Sequence, residues 1–169
     1  MKTVLMLLAL CAASLHAQAP KVAGDPLAPL SFLVGTWTAN TQGNAGAAAS
    51  GSYSFNLELG NHVLARHSST ADCKGPADYD CGHHDLLYVY AEGRALKAIF
   101  FDNEGHVIHY DVTVPEPNTA VFVSDAAAAG PLFRLIYVLK GGVMSGKFQT
   151  EPPGRTEWES YLEWSGSKK

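Results

Sequence analysis

The stretch Leu30-Ser31-Phe32-Leu33-Val34-Gly35-Thr36-Trp37-Thr38 decides the fold of this chain. It places a Gly-x-Trp motif at the start of the first predicted β-strand. Further along, segments of about five to nine residues alternate apolar and polar side chains, with Gly, Pro, Asn or Asp between them. No stretch has a sustained helical period, so the pattern predicts an all-β barrel or sandwich.

The first residues have the pattern of a cleaved secretory signal peptide. Lys2 supplies the positive charge, and the apolar run 3–13 is shorter than the roughly 20 residues that span a bilayer. Small residues follow, and cleavage after Ala17 is favoured over Ala19 because Pro20 would directly follow the second cut. We therefore expect an exported protein, periplasmic or secreted, with no membrane insertion.

These observations divide the chain into three parts. We predict a signal peptide over 1–19, an irregular lead-in over 20–29 and a single barrel domain over 30–166. The net charge of −4 and the lack of any Lys/Arg cluster argue against a nucleic-acid partner.

Two cysteines remain once the leader is removed, Cys73 and Cys81. The segment between them is polar and turn-forming, and an exported protein meets oxidising conditions, so we predict a disulfide between them. The alternative is a metal pair completed by His83 and His84, which the wide cysteine spacing disfavours.

Ten strands are predicted, joined by short connections that contain turn residues. A meander of this many antiparallel strands avoids sticky edges by closing on itself. We therefore predict a single closed or nearly closed up-and-down barrel. The predicted strands cover roughly 32–40, 51–59, 62–70, 85–91, 95–101, 106–114, 119–124, 132–140, 143–150 and 155–164, with a loop over Gln42–Gly51 and a turn over Pro115–Asn118.

The last predicted strand indicates which face points inward, because side chains alternate between the two faces of a strand. One face is apolar and carries tryptophan, and the other is acidic. We expect the tryptophan face to be interior, with Trp158, Leu162 and Trp164 inside and Glu157, Glu159, Tyr161 and Glu163 outside.

Three short motifs resemble the lipocalin and fatty-acid-binding-protein (calycin) superfamily, and within it an uncharacterised family of bacterial secreted lipocalin-like proteins. They are Phe32-Leu33-Val34-Gly35-Thr36-Trp37, Leu59-Gly60-Asn61-His62-Val63-Leu64 and Tyr110-Asp111. The resemblance implies a small up-and-down barrel with Trp37 closing one end. The strand count and the opening are also similar to heme-binding nitrobindin barrels, which hold iron through a His near the chain end. This chain has no His after His109.

The predicted site residues are those that would line an interior or its mouth. Aromatic side chains form apolar cavities with a few polar groups, and an interior Arg with a Tyr can bind an anionic head group. The predicted ligand-binding set is Trp37, Tyr53, Phe55, His62, Arg66, Tyr110, Arg134 and Trp158.

We predict that the chain is an exported barrel that binds a small apolar or amphipathic molecule without a cofactor. The sequence contains no nucleophile elbow and no phosphate-binding loop. Alternatives are an enzyme of isomerase or cyclase type, in which His62, His106 and Tyr110 together, or Arg66, act at the mouth, a heme or metal barrel, and a packed barrel without a ligand.

Overall fold

The structure is a computed structural model that describes residues 24–41, 48–76, 81–126 and 130–169. The predicted signal peptide and the lead-in up to residue 23 lie outside these residues. The described chain is a closed barrel of ten antiparallel strands, as the sequence predicts. No helix in these segments is long and apolar enough to cross a membrane.

Each strand pairs with the next along the chain, and β1 pairs with β10 to close the barrel through Asn40 with Ser165 and Thr41 with Trp164. Closure removes the unpaired edges that an open sheet of this size would expose. The strands are β1 Gly35–Thr41, β2 Ala48–Glu58, β3 Val63–Lys74, β4 His84–Glu92, β5 Ala95–Asp102, β6 Val107–Glu116, β7 Thr119–Ser124, β8 Leu132–Lys140, β9 Val143–Glu151 and β10 Glu159–Ser167.

A 3-10 helix over Ala28–Leu33 precedes β1, so the predicted first strand over 32–40 begins too early. A proline in its first turn is compatible with a helical start. Leu30 and Leu33 are fully buried, and the indole N–H of Trp37 donates to the carbonyl of Leu33 at 2.8 Å. The helix and Trp37 therefore close one end of the barrel, which we call the helix end.

Two predicted connections are wrong in part. The loop predicted over Gln42–Gly51 overlaps β2, which begins at Ala48, while residues 42–47 lie outside the described chain. Pro115 lies within β6 and not in a turn, because the β6–β7 pairing is irregular between Thr113 and Glu116. A bulge is one of the few places in a sheet where proline is tolerated.

The prediction that Trp158 faces the interior is also wrong. Ser160 pairs with Gln149 and Leu162 pairs with Phe148, so Tyr161 is an extra residue in β10. Such a bulge reverses the face of every residue before it. Trp164 and Leu162 therefore face inward as predicted, whereas Trp158, which precedes β10, lies on the outer side.

The other end of the barrel, which we call the cystine end, carries the disulfide. Cys73 near the end of β3 is bonded to Cys81, three residues before β4, as predicted from the sequence. Residues 77–80 between them lie outside the described chain. Because the meander alternates direction, the connections β1–β2, β3–β4 and β5–β6 meet at this end.

Candidate functional site

Arg66 is a charged side chain inside the barrel. The alternation along β3 directs Leu64 and Arg66 inward, and Arg66 is only 5% exposed. Its Nη2 is ion-paired with Oδ1 of Asp85, and its Nη1 donates to the hydroxyl of Tyr137. A buried charge without a partner would be very costly, so the pair with Asp85 is what permits a cation at this position.

Asp85, at the start of β4, connects this pair to the rim. Its Oδ2 accepts from Oγ of Ser68 at 2.5 Å and lies 3.4 Å from Nε2 of His83. Burial would raise the pKa of Asp85, but the charge of Arg66 and the bonds from His83 and Ser68 outweigh it and hold the pKa below its ordinary value. Asp85 is therefore ionised at neutral pH.

His83 forms the outer part of the same chain of contacts. Its Nδ1 lies 3.4 Å from Oε1 of Glu104. The hydrogen bond with Asp85 raises the pKa of His83, partial burial opposes the rise, and Glu104 and Asp102 add to it. A continuous series of polar groups thus runs from Tyr137 in the core, through Arg66 and Asp85, to His83 at the surface.

Three buried polar atoms beside Tyr137 have no hydrogen-bond partner among the described residues. They are the hydroxyl of Tyr53, Nε of Arg66 and Nε1 of Trp164. Buried polar groups are nearly always paired, and each unpaired one costs about 1–3 kcal/mol. Three together at one place indicate a site whose hydrogen bonds are completed by something other than these residues.

The three side chains line one cavity of about 130 Å³ at the cystine end. Ser68, His83 and Asp85 lie on the same wall, and strands β1, β2, β3, β4 and β10 contribute to the lining. The cavity is therefore polar on the β3–β4 side.

The floor of the cavity is aromatic. The ring of Tyr137 lies 5.9 Å from that of Tyr53, 5.4 Å from that of Phe55 and 5.7 Å from that of Trp164, measured between centroids. Tilted and edge-on contacts at these distances are favourable aromatic geometries. Tyr137 is thus the shared neighbour that fixes the positions of the other rings.

The hydroxyl protons of the two tyrosines stay in place at neutral pH. Burial raises the pKa of Tyr53 and is reinforced by Tyr137, while the nearby Trp164 indole and Arg66 oppose the rise. Burial also raises the pKa of Tyr137, against the charge of Arg66. The Trp164 indole and the Tyr53 hydroxyl are close, but they do not form a hydrogen bond of normal geometry.

Gly146 provides the space for Trp164. The two residues are directly opposed in the β9–β10 ladder, and a Cβ on Gly146 would collide with the indole ring of Trp164. The absence of a side chain on β9 therefore lets the indole lie against the inner wall, where Trp164 lines the cavity.

Of the predicted ligand-binding residues, Tyr53 and Arg66 line this cavity and Phe55 packs beneath it. Tyr110 is buried close enough to Arg66 to be affected by its charge, but it packs against Phe122, with 6.1 Å between the rings, and does not line the cavity. Trp37 is opposite Tyr53 in the β1–β2 ladder, but its indole N–H bonds to Leu33 at the helix end. The structure therefore places Tyr53 and Arg66 in the lining, with Phe55 beneath it, and the other two interior residues outside it.

His62 is exposed in the β2–β3 turn at the helix end, whereas His106 lies at the cystine end with its Nδ1 2.8 Å from Oδ2 of Asp102. The predicted catalytic grouping of His62, His106 and Tyr110 therefore does not converge. Within the described ranges no group of three His, Cys, Asp or Glu side chains is arranged to hold a metal. The cavity beside Arg66 is also too small for a heme macrocycle.

Arg134 and Trp158 contact each other on the outer wall. The guanidinium carbon of Arg134 lies 4.3 Å from the ring centroid of Trp158, and its Nε donates to Gln149 at 2.8 Å. Arg134 also lines an outer groove of about 560 Å³. Charged side chains in this groove are paired, as in the Lys147–Glu163 bridge of 2.8 Å. The groove therefore offers a ligand fewer unpaired polar groups than the inner cavity does.

The sequence interpretation missed Asp85, Tyr137 and Trp164 as members of this site. Trp164 is predicted from the alternation of its strand to face the interior, but the predicted ligand-binding set contains neither Trp164 nor Tyr137. Asp85 follows a connection too long to reveal its register with β3. A charged residue within an apolar strand, as at Arg66, is the one local signal that a buried acidic partner must exist.

No protein-family model matches the chain, and no curated protein matches it. Among solved structures, the chain is similar to one described as EF1p2_mFAP2b bound to DFHBI, at 12% identity and a TM-score of 0.39. The match covers 83% of this chain and 97% of that one.

Proposed function

We propose that this protein is an exported barrel that binds a small amphipathic molecule, whose polar end enters the cavity at the cystine end. The observation that carries this proposal is the group of three buried, unpaired polar atoms of Tyr53, Arg66 and Trp164 around one cavity. A binding site is usually apolar with a few convergent polar groups, and this cavity has that composition.

The size of the cavity supports a small buried group. An apolar cavity of roughly 150 Å³ accepts a benzene molecule. At about 130 Å³ the cavity is slightly smaller, so it suits a polar head with a short chain or part of a ring, and the rest of the molecule would extend outward past the rim. The packed aromatic residues beneath it, Phe55 and Tyr137, set the depth that a ligand reaches.

Export is part of the proposal and is supported by the leader pattern and by the Cys73–Cys81 disulfide, since such bonds persist mainly in oxidising compartments. Expression of the full chain in a bacterium with an outer membrane, followed by fractionation and intact-mass measurement, tests this part. We expect periplasmic protein that begins at Gln18 or Pro20 and carries a disulfide. Uncleaved protein confined to the cytoplasm would contradict it.

Binding is tested by the indole N–H signals in a proton–nitrogen NMR spectrum. The three tryptophans occupy different places, because Trp37 is at the helix end, Trp158 is outside and Trp164 is in the cavity. Substitution of each by Phe assigns its signal. A panel of small amphipathic molecules should shift the Trp164 signal and leave the other two unchanged.

Native mass spectrometry and organic extraction of the purified protein complete this test. A molecule that co-purifies with wild type and is lost from the Trp164→Phe variant, but not from the matched Trp158→Phe variant, supports the proposal. If no molecule co-purifies and no member of the panel shifts the Trp164 signal, the proposed function is wrong.

A further inference from the structure

We propose that the ligand buries an uncharged hydrogen-bond acceptor, such as a ketone, ester or amide carbonyl, beside Arg66, and that a carboxylate is disfavoured there. This inference rests on the proposed binding function and specifies its ligand class. It follows from the donor character of the unpaired atoms and from the charge balance of the site.

The unpaired atoms are mainly donors. The Nε–H of Arg66 and the Nε1–H of Trp164 can only donate, and the Tyr53 hydroxyl can donate or accept. Arg66 is 5% exposed and Tyr53 is 4% exposed, so both groups are shielded from bulk solvent. A ligand that completes their hydrogen bonds must therefore bring an acceptor oxygen.

The positive charge of Arg66 is already neutralised. Both Nη atoms of Arg66 are taken, Nη2 by Asp85 and Nη1 by the Tyr137 hydroxyl. The carboxylate of Asp85 remains in the same wall, with its second oxygen bonded to Ser68. An incoming carboxylate would add an uncompensated negative charge next to Asp85 in a buried setting, which is costly.

A neutral carbonyl avoids this cost. Its oxygen accepts more than one hydrogen bond and leaves the Arg66–Asp85 pair unchanged. The ring of Tyr53, with Leu162 and the ring of Trp164 in the same lining, offers an apolar surface for the part of the molecule next to the carbonyl. The site therefore recognises an apolar group that carries one uncharged oxygen.

Three probes of similar shape and the same number of non-hydrogen atoms separate the effects of a neutral oxygen, a negative charge and apolar contact. They are acetophenone, benzoate and isopropylbenzene. Each is titrated into the purified protein at pH 7, with the Trp164 indole signal and calorimetry as readouts. Because a net hydrogen bond contributes about 0.5–1.5 kcal/mol, we expect acetophenone to bind about twofold to tenfold more tightly than isopropylbenzene. Benzoate should bind more weakly than acetophenone.

A matched pair of variants tests the donors. Tyr53→Phe removes one donor from the cavity, whereas Tyr161→Phe makes the same change on an exposed bulge residue of β10. Tyr53→Phe should reduce the preference for acetophenone over isopropylbenzene, and Tyr161→Phe should not. Trp164→Phe, followed by calorimetry, provides an independent variant if Tyr53→Phe does not fold.

The outcomes are distinguishable. Tighter binding of benzoate than of acetophenone, with a shifted Trp164 signal, would overturn the ligand class and leave the binding function standing. Equal affinities for acetophenone and isopropylbenzene would also overturn it. If none of the probes binds and no molecule co-purifies, both the ligand class and the proposed function are wrong.

Discussion

Arg66 on β3 and Asp85 on β4 form an ion pair inside the barrel, and each is less than a tenth exposed. Tyr137 lies across the interior on β8, and its hydroxyl accepts a hydrogen bond from Nη1 of Arg66. The pair therefore sits between the aromatic core and the rim, and its integrity determines both stability and the charge of the cavity.

Removal of one partner from this pair should be strongly destabilising. Asp85→Asn leaves the Arg66 charge buried without compensation, and we expect a loss of about 3–5 kcal/mol in the free energy of unfolding. Urea unfolding followed by far-UV circular dichroism measures it. The control is Asp111→Asn, which breaks the exposed pair with Lys97 and should cost far less.

Replacement of both charges tests the same explanation from the other direction. The double variant Arg66→Met with Asp85→Leu removes the charge together with its partner, so it should be more stable than Asp85→Asn alone. If the double variant is as unstable as the single one, the instability of Asp85→Asn does not come from an uncompensated charge.

His83 should make stability decline as pH rises above about 6.5, the ordinary pKa of histidine. Its folded-state pKa is raised, chiefly by the hydrogen bond with Asp85, so its contribution is fully present below its unfolded pKa of about 6.5 and is lost as pH rises through the folded value. Urea unfolding from pH 6 to pH 9 should therefore show a decline in wild type that is smaller in His83→Gln. His109→Gln, at an exposed position, should keep the wild-type slope.

Gly146→Ala should displace the Trp164 indole, because the new methyl group would occupy the place of the ring. Overpacking of this kind costs about 1–3 kcal/mol. Near-UV circular dichroism and the Trp164 indole signal should both change, and acetophenone binding should weaken. Ser145→Ala, the neighbouring exposed position on β9, serves as control. An unchanged Trp164 signal in Gly146→Ala would contradict the assigned contact.

The Cys73–Cys81 disulfide should stabilise the fold by lowering the conformational entropy of the unfolded chain. Its sequence separation is 8, and closure of a loop this short contributes roughly 2–3 kcal/mol on the chain-entropy account. The double variant Cys73→Ser with Cys81→Ser should lose this amount in urea unfolding, and reduction of wild type should lower its stability to the same level. No change on reduction would show that the bond contributes little.

Trp37→Phe should destabilise the helix end of the barrel. It removes the hydrogen bond to Leu33 and part of a buried ring system, at a cost of about 2–3 kcal/mol. Thermal unfolding measures the loss, with Trp158→Phe on the outer wall as the control.

The sequence alone determined the architecture. The period of two within each segment and the turn residues between segments are local properties, and they predicted ten antiparallel strands and barrel closure. The predicted segments 119–124 and 132–140 coincide with β7 and β8. The cysteine pair was likewise recognisable, because both residues flank a single connection.

Only the tertiary structure decided which side chains meet. Arg66 and Tyr137 are separated by 71 positions, and their contact depends on the curvature of the closed barrel, which no local pattern encodes. The single extra residue Tyr161 moved Trp158 to the outer wall, because one added residue reverses the two faces of a strand. The alternation of side chains between the two faces of a strand depends only on neighbouring residues. Register and contacts across the interior, in contrast, depend on the packing of all ten strands together.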